Sequence, residues 1–198
     1  VRPLLIIACG ALAREIGWVI DTNGLDDVDL TCLPAELHNR PDRIPDEMRR
    51  KIDANQDKYA RIVALYADCG TGGELDALLA EKNVERIGGA HCYAFYAGED
   101  TFSQMHEDEL GTFYVTDYLV RFFDRLMIKG LGLDRHPELR DMYFGNYTRL
   151  MYLAQTDDQA LKDEAQAAAD KLGLQYAYHF TGYGELGDFI THQVAKGH

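Results

Sequence analysis

Four cysteines, Cys9, Cys32, Cys69 and Cys92, and the histidines His38 and His91 are the side chains of this sequence best suited to chemistry. Each stands at or just beyond the end of a short apolar run. Cysteine thiolates with imidazole form a common ligand set for zinc and other soft or borderline divalent cations. The spacing is not that of a zinc finger, since neither C-x-x-C nor H-E-x-x-H occurs. A shared site would therefore have to be assembled by the fold. The competing reading is that these are small buried hydrophobes, as free cysteines often are, and the sequence leaves both open.

The stretch "LYADCGTGGELD" (65 to 76) sharpens the question, because an apolar run ends there in an acid, a thiol and three glycines. Gly70, Gly72 and Gly73 can be read as an anion-binding turn, with backbone N–H groups and a helix N-terminus facing a phosphate or carboxylate of a cofactor. They can equally be the glycines any tight turn requires. The stretch is neither a Walker loop nor a GxGxxG fingerprint. Asp68 is a candidate catalytic base or partner of a histidine ligand; a helix N-terminal acid is the alternative. His179, in "YHFTGYG", is a further histidine at a strand end.

Elements that could bring these residues together follow from periodicity. Strands are expected near 4 to 9, 28 to 33, 61 to 68, 84 to 90, 148 to 155 and 174 to 180. Helices fall between them, over 11 to 24, 44 to 59, 73 to 83, 115 to 132 and 158 to 173, with a last one starting near Glu185. Residues 93 to 116, aromatic and acidic, read as an irregular loop over a site. The alternation predicts a single α/β domain over residues 1 to 198, with a mainly parallel sheet flanked by helices, Rossmann-like. In such a sheet all strand carboxyl ends share one edge, where open α/β folds place their ligands. The cysteines would then converge there despite lying more than twenty residues apart in the chain.

At 198 residues, 46% hydrophobic and 27% charged, the chain is long enough for one sizeable core. Its formal charge of −13 argues against a sequence-independent nucleic-acid binder, which would present clustered Lys and Arg to phosphates. No apolar stretch approaches a membrane span, and no charged head followed by an apolar signal core opens the chain. A cytoplasmic location with reduced thiols is the expectation.

Taken together, Cys9-Gly10, "LPAELHN", "YADCGTGG", "AHCYAFYAG" and "GTFYVTDYLV" resemble the domain of unknown function 1638 (DUF1638) family through most of the chain. The resemblance picks out Cys9, His38, Cys69 and Cys92, and implies a metal site made by them. In this chain the fourth segment reads His91-Cys92 without the acid the family pattern places between them. Family members are often encoded near corrinoid-dependent methyltransferases, which implies corrinoid-linked one-carbon metabolism. The expectation is thus a zinc-binding protein, either a thiol-activating methyltransferase or an accessory to demethylation of methylated amines or betaines, with a corrinoid protein or methyltransferase as partner. The alternative is a non-catalytic protein that binds a small molecule or corrinoid.

Overall fold

A computed structural model describes residues 2–89 and 91–196. By its internal contacts the chain falls into two compact units, residues 1–95 with 185–198, and residues 96–184. Each is built on its own parallel sheet.

The first unit begins with the run Leu4 to Ala8, every residue of which is buried. A strand covered on both faces has no polar side to alternate with, and so reads as a continuous apolar run. This strand, β1 (Arg2–Cys9), is followed by α1 (Ala13–Thr22), β2 (Val28–Leu33), α2 (Ile44–Asp53), β3 (Tyr59–Leu65), α3 (Glu74–Glu81) and β4 (Glu85–Arg86). The sheet order is β2-β1-β3-β4, all parallel. From β1 the chain moves to one side for β2 and then crosses back to the other for β3. The reversal puts a topological switch point at the carboxyl ends of β1 and β3, the usual ligand position of doubly wound sheets.

A short helix, α4 (Tyr93–Ala97), leads to the second unit, which contains α5 (Glu99–Asp108), β5 (Thr112–Thr116), α6 (Asp117–Arg121), α7 (Arg140–Phe144), β6 (Arg149–Ala154), α8 (Gln159–Leu172) and β7 (Gln175–Phe180). Its sheet has the order β5-β6-β7, again parallel. Between α6 and α7 the residues Asp124–Lys129 form a π-helical turn. α9 (Gly184–Ala195) returns the chain to the first unit. There Arg61 holds it, donating from Nη1 to the Gln193 carbonyl at 2.8 Å and from Nη2 to Gln193 Oε1 at 2.5 Å.

The α/β class, the parallel pairing and the flanking helices are as the periodicity predicts, but the strands are divided between two sheets instead of sharing one. The fourth strand is cut to two residues. Beyond it the Arg86 Nη1 donates to the carbonyls of Ile87 and Gly89 at 2.8 and 3.2 Å, occupying groups that a longer strand would have offered to a neighbour. Ala90, the last residue of that expected strand, lies outside the described residues. The segment 93 to 116 is not an irregular loop: it forms α4, α5 and the buried strand β5. The expected helix over 115 to 132 accordingly starts only at Asp117.

Candidate thiol site

All the residues of the candidate site belong to the first unit. Cys9 ends β1, and the chain then turns through a 3-10 helix, Gly10–Leu12. A Cβ on Gly10 would lie 2.9 Å from the Leu33 carbonyl oxygen and 3.2 Å from the Ala35 nitrogen. Glycine therefore lets the backbone beyond Cys9 pass against the end of β2. Cys9 is buried, and the hydroxyl of the fully buried Tyr66 donates to its sulfur. Burial pushes the Cys9 thiol up to about 11, against the opposing pull of the Ala11 amide.

Cys69 lies in the turn between β3 and α3, with φ of +50°, a left-handed backbone that only glycine adopts freely. Gly70, Gly72 and Gly73 follow with φ of 86°, 64° and 89°. Asp68 organises this turn. Its carboxylate accepts from Thr71 Oγ1 at 2.6 Å, from the Gly73 amide at 3.0 Å and from the Gly72 amide at 3.3 Å. These bonds, the Thr71 hydroxyl first, hold the Asp68 carboxyl below the usual carboxylate range. The turn amides expected to face an outside anion are thus directed at an internal one. Asp68 is fitted to shaping the turn, and its depressed pKa makes it a weak base.

Cys92 reaches Cys69 because the loop before it is stitched to the same turn. The Asp68 amide donates to the Gly89 carbonyl at 3.3 Å, and Arg86, which also bonds that carbonyl, forks onto Asp76 near the start of α3 at 2.5 and 2.9 Å. The Cys92 thiol and the backbone N–H groups of Cys92 and Ala67 lie within reach of the Cys69 sulfur and favour its charged form. Donation to its charged form holds the Cys69 thiol below the ordinary cysteine value, whereas Cys92, as the donor and crowded by protein though half-buried, is raised well above it. Cys69 is the member of the pair that ionises first.

The fold therefore brings Cys9, Cys69 and Cys92 together around Tyr66 at the carboxyl edge of the sheet, by the switch point between β1 and β3. Cys32, opposite Ala8 on β2, is near enough to Cys9 to help raise its thiol but is not among the three thiols gathered around Tyr66; it is half-buried beside Lys51, with burial raising its own thiol and the ammonium opposing that. His38 sits on the 3-10 helix Ala35–Asn39 that follows β2. Crowding of its ring by protein, and then the neighbouring His91, lower its pKa, although the residue stays exposed. His91 is exposed, with its ring 6.3 Å from that of Tyr93. His179 belongs to β7, in the other sheet. All four cysteines are free thiols, and among the described residues no three His, Cys, Asp or Glu side chains come together as a metal-binding group. The thiols are thus a cluster with one direct contact and not a preformed coordination shell.

Two participants, Tyr66 and Arg86, carry little signal in the sequence. Tyr66 reads simply as part of a strand, and its only signal is its position three residues before Cys69. Arg86 gives none, because its role depends on carbonyls freed by the early end of β4.

A family model described as a protein of unknown function, DUF1638, matches residues 32–190. The span includes Cys32, His38, Cys69 and Cys92 and begins after Cys9. No curated protein and no solved structure matches the chain.

Proposed function

The chain belongs to the DUF1638 family, and we propose that its thiol cluster binds a soft or borderline divalent cation, zinc foremost, held by Cys9, Cys69 and Cys92 with His38 as the fourth donor. The observation that supports this reading is the convergence of three thiols from separate segments on one strand edge, with the Cys69 thiol held below the ordinary cysteine value by its neighbours. Thiolate and imidazole donors suit such an ion. Ligands that must shed protons make uptake weaken as pH falls, and most steeply where burial has raised the thiol, as at Cys9.

Four protein donors close a tetrahedral site. With the exposed His38, on its 3-10 helix, displaced by a substrate thiol, the three cysteines would still hold the ion, which would bind that thiol as a nucleophilic thiolate. Methyl transfer in corrinoid-linked one-carbon metabolism is the reaction class we attach to that chemistry, with a corrinoid protein or methyltransferase as partner. In it the Asp68-held turn keeps Cys69 beside Cys92, and Tyr66 fixes the Cys9 sulfur. A non-catalytic ligand-binding role for the glycine turn gains less support, since Asp68 occupies the amides of Gly72 and Gly73.

Cobalt(II) titration of the metal-free protein tests the reading. A thiolate-to-cobalt charge-transfer band in the near ultraviolet, saturating at one ion per chain and diminished in Cys92→Ser, is expected. Absence of that band in a folded protein would contradict it.

A further inference from the structure

The second sheet ends on one side in the buried strand β5 and on the other in β7, beyond which no further strand pairs among the described residues. Tyr178 and Phe180 of β7 are 37% and 53% exposed. Natural sheets guard such an edge with charges, proline, a bulge or brevity, because its unpaired amides and carbonyls invite another strand. β7 reads Gln-Tyr-Ala-Tyr-His-Phe: six residues without Asp, Glu, Lys, Arg, Pro or Gly. In a chain carrying −13 formal charge this is an edge from which charge is missing.

Backbone direction decides what could pair with it. The Gln175 amide donates to Thr148 and the Thr181 amide to Ala154, both toward β6. Because direction alternates along a strand, Ala177 and His179 also face β6, and the amides and carbonyls of Tyr176, Tyr178 and Phe180 point outward. An antiparallel partner forms its hydrogen-bonded pairs only between outward-facing residues. For β7 against itself across a two-fold axis, full overlap has a single register, with Tyr178 opposite Tyr178 and Tyr176 opposite Phe180 in each direction. The same register stacks three aromatic cross-strand pairs on one face, a favourable arrangement. It also places Ala177 opposite His179 on the other face. The strands themselves bring no like charges together, Lys162, 4.9 Å over the Tyr178 ring, is neutralised by its ion pair with Asp157, and the patch is complementary to itself, as an isologous dimer requires.

We infer that the protein forms a two-fold dimer by antiparallel pairing of β7 with β7 of a second copy, Tyr178 lying at the axis. This rests on the second unit alone and is independent of the thiol site.

Light scattering coupled to size exclusion, across a range of protein concentrations, tests it. The wild type should have twice the chain mass. Tyr178→Pro removes an outward N–H without touching the ladder to β6 and should yield a monomer with unchanged circular dichroism. Tyr178→Cys keeps the test open should the proline variant misfold. Directly opposed hydrogen-bonded residues lie about 5.5 Å apart at Cα, within disulfide range, so this variant should form a reducible dimer on oxidation where the wild type and His179→Cys do not. A wild type that stays monomeric at the highest concentration overturns the inference. So does a dimer whose mass survives Tyr178→Pro, or one cross-linked by His179→Cys and not by Tyr178→Cys.

Discussion

Cys69 combines two features seldom found together, a left-handed backbone on a residue with a side chain and a thiol whose charged form is stabilised by a neighbour. The backbone conformation costs about 1 to 2 kcal/mol, which the chain would have avoided with a fourth glycine in a turn that already has three. The side chain is thus retained at a position that disfavours it, as strained residues at functional sites often are. Since the thiolate is the nucleophile, Cys69 should be alkylated by iodoacetamide faster than Cys9 at neutral pH. Peptide mass spectrometry at short labelling times would read the order, and preferential labelling of Cys9 would mean that the Cys92 thiol does not favour ionisation of Cys69. Asp68 carries a pH signature of its own. Its folded-state pKa lies below the unfolded value of about 3.9, so its hold on the turn is complete above that value and is lost as pH falls through the lower one. Hydrogen exchange at the Gly72 and Gly73 amides should therefore lose protection in acid in the wild type, while Asp68→Asn should show no such step.

At the scale of elements, what could be read from the sequence was whatever local pattern governs. α8 carries its own stop signals: Asp158 caps it by accepting from the Ala160 amide, and Gly173 ends it at φ of 71°. β1 announces itself by its unbroken apolar run. β5 was lost because Thr112–Thr116 runs directly into α6, with no glycine or proline to mark the boundary at Thr116–Asp117. The strand ends were legible enough to place the thiols at one edge. The direct contact of Cys92 with Cys69 was not, since it depends on the bonds that Gly89 and Arg86, just ahead of Cys92, make to Asp68 and Asp76 across the sheet edge, which no local pattern announces. The same limit hid Asp117, which is 2% exposed and accepts from Tyr152 Oη, the Gln155 and Thr156 amides and Thr156 Oγ1 at 2.6 to 3.1 Å. Asp117→Ala would strand several of these donors at about 1 to 3 kcal/mol each. A loss of at least about 3 kcal/mol in urea unfolding is expected, and one below about 1 kcal/mol would mean that water replaces the carboxylate.

Over the whole molecule, chemistry and surface are divided between the two units: the thiols lie on the carboxyl edge of the first sheet, and the edge strand β7 belongs to the second. No helix among the described residues is long and apolar enough to cross a membrane. The strong negative charge would steer basic partners and resist nonspecific association, which makes an uncharged strand edge the more selective place for contact between copies. The central claim remains the metal at the thiol cluster. Its most direct test is metal analysis of protein purified without chelator, wild type beside Cys69→Ser. We expect about one zinc per wild-type chain, and loss of most of it in the variant with circular dichroism unchanged. A wild type that takes up no metal even when refolded with zinc, or an equal content in both proteins, would contradict the claim and leave Cys69 as a small residue in a glycine turn.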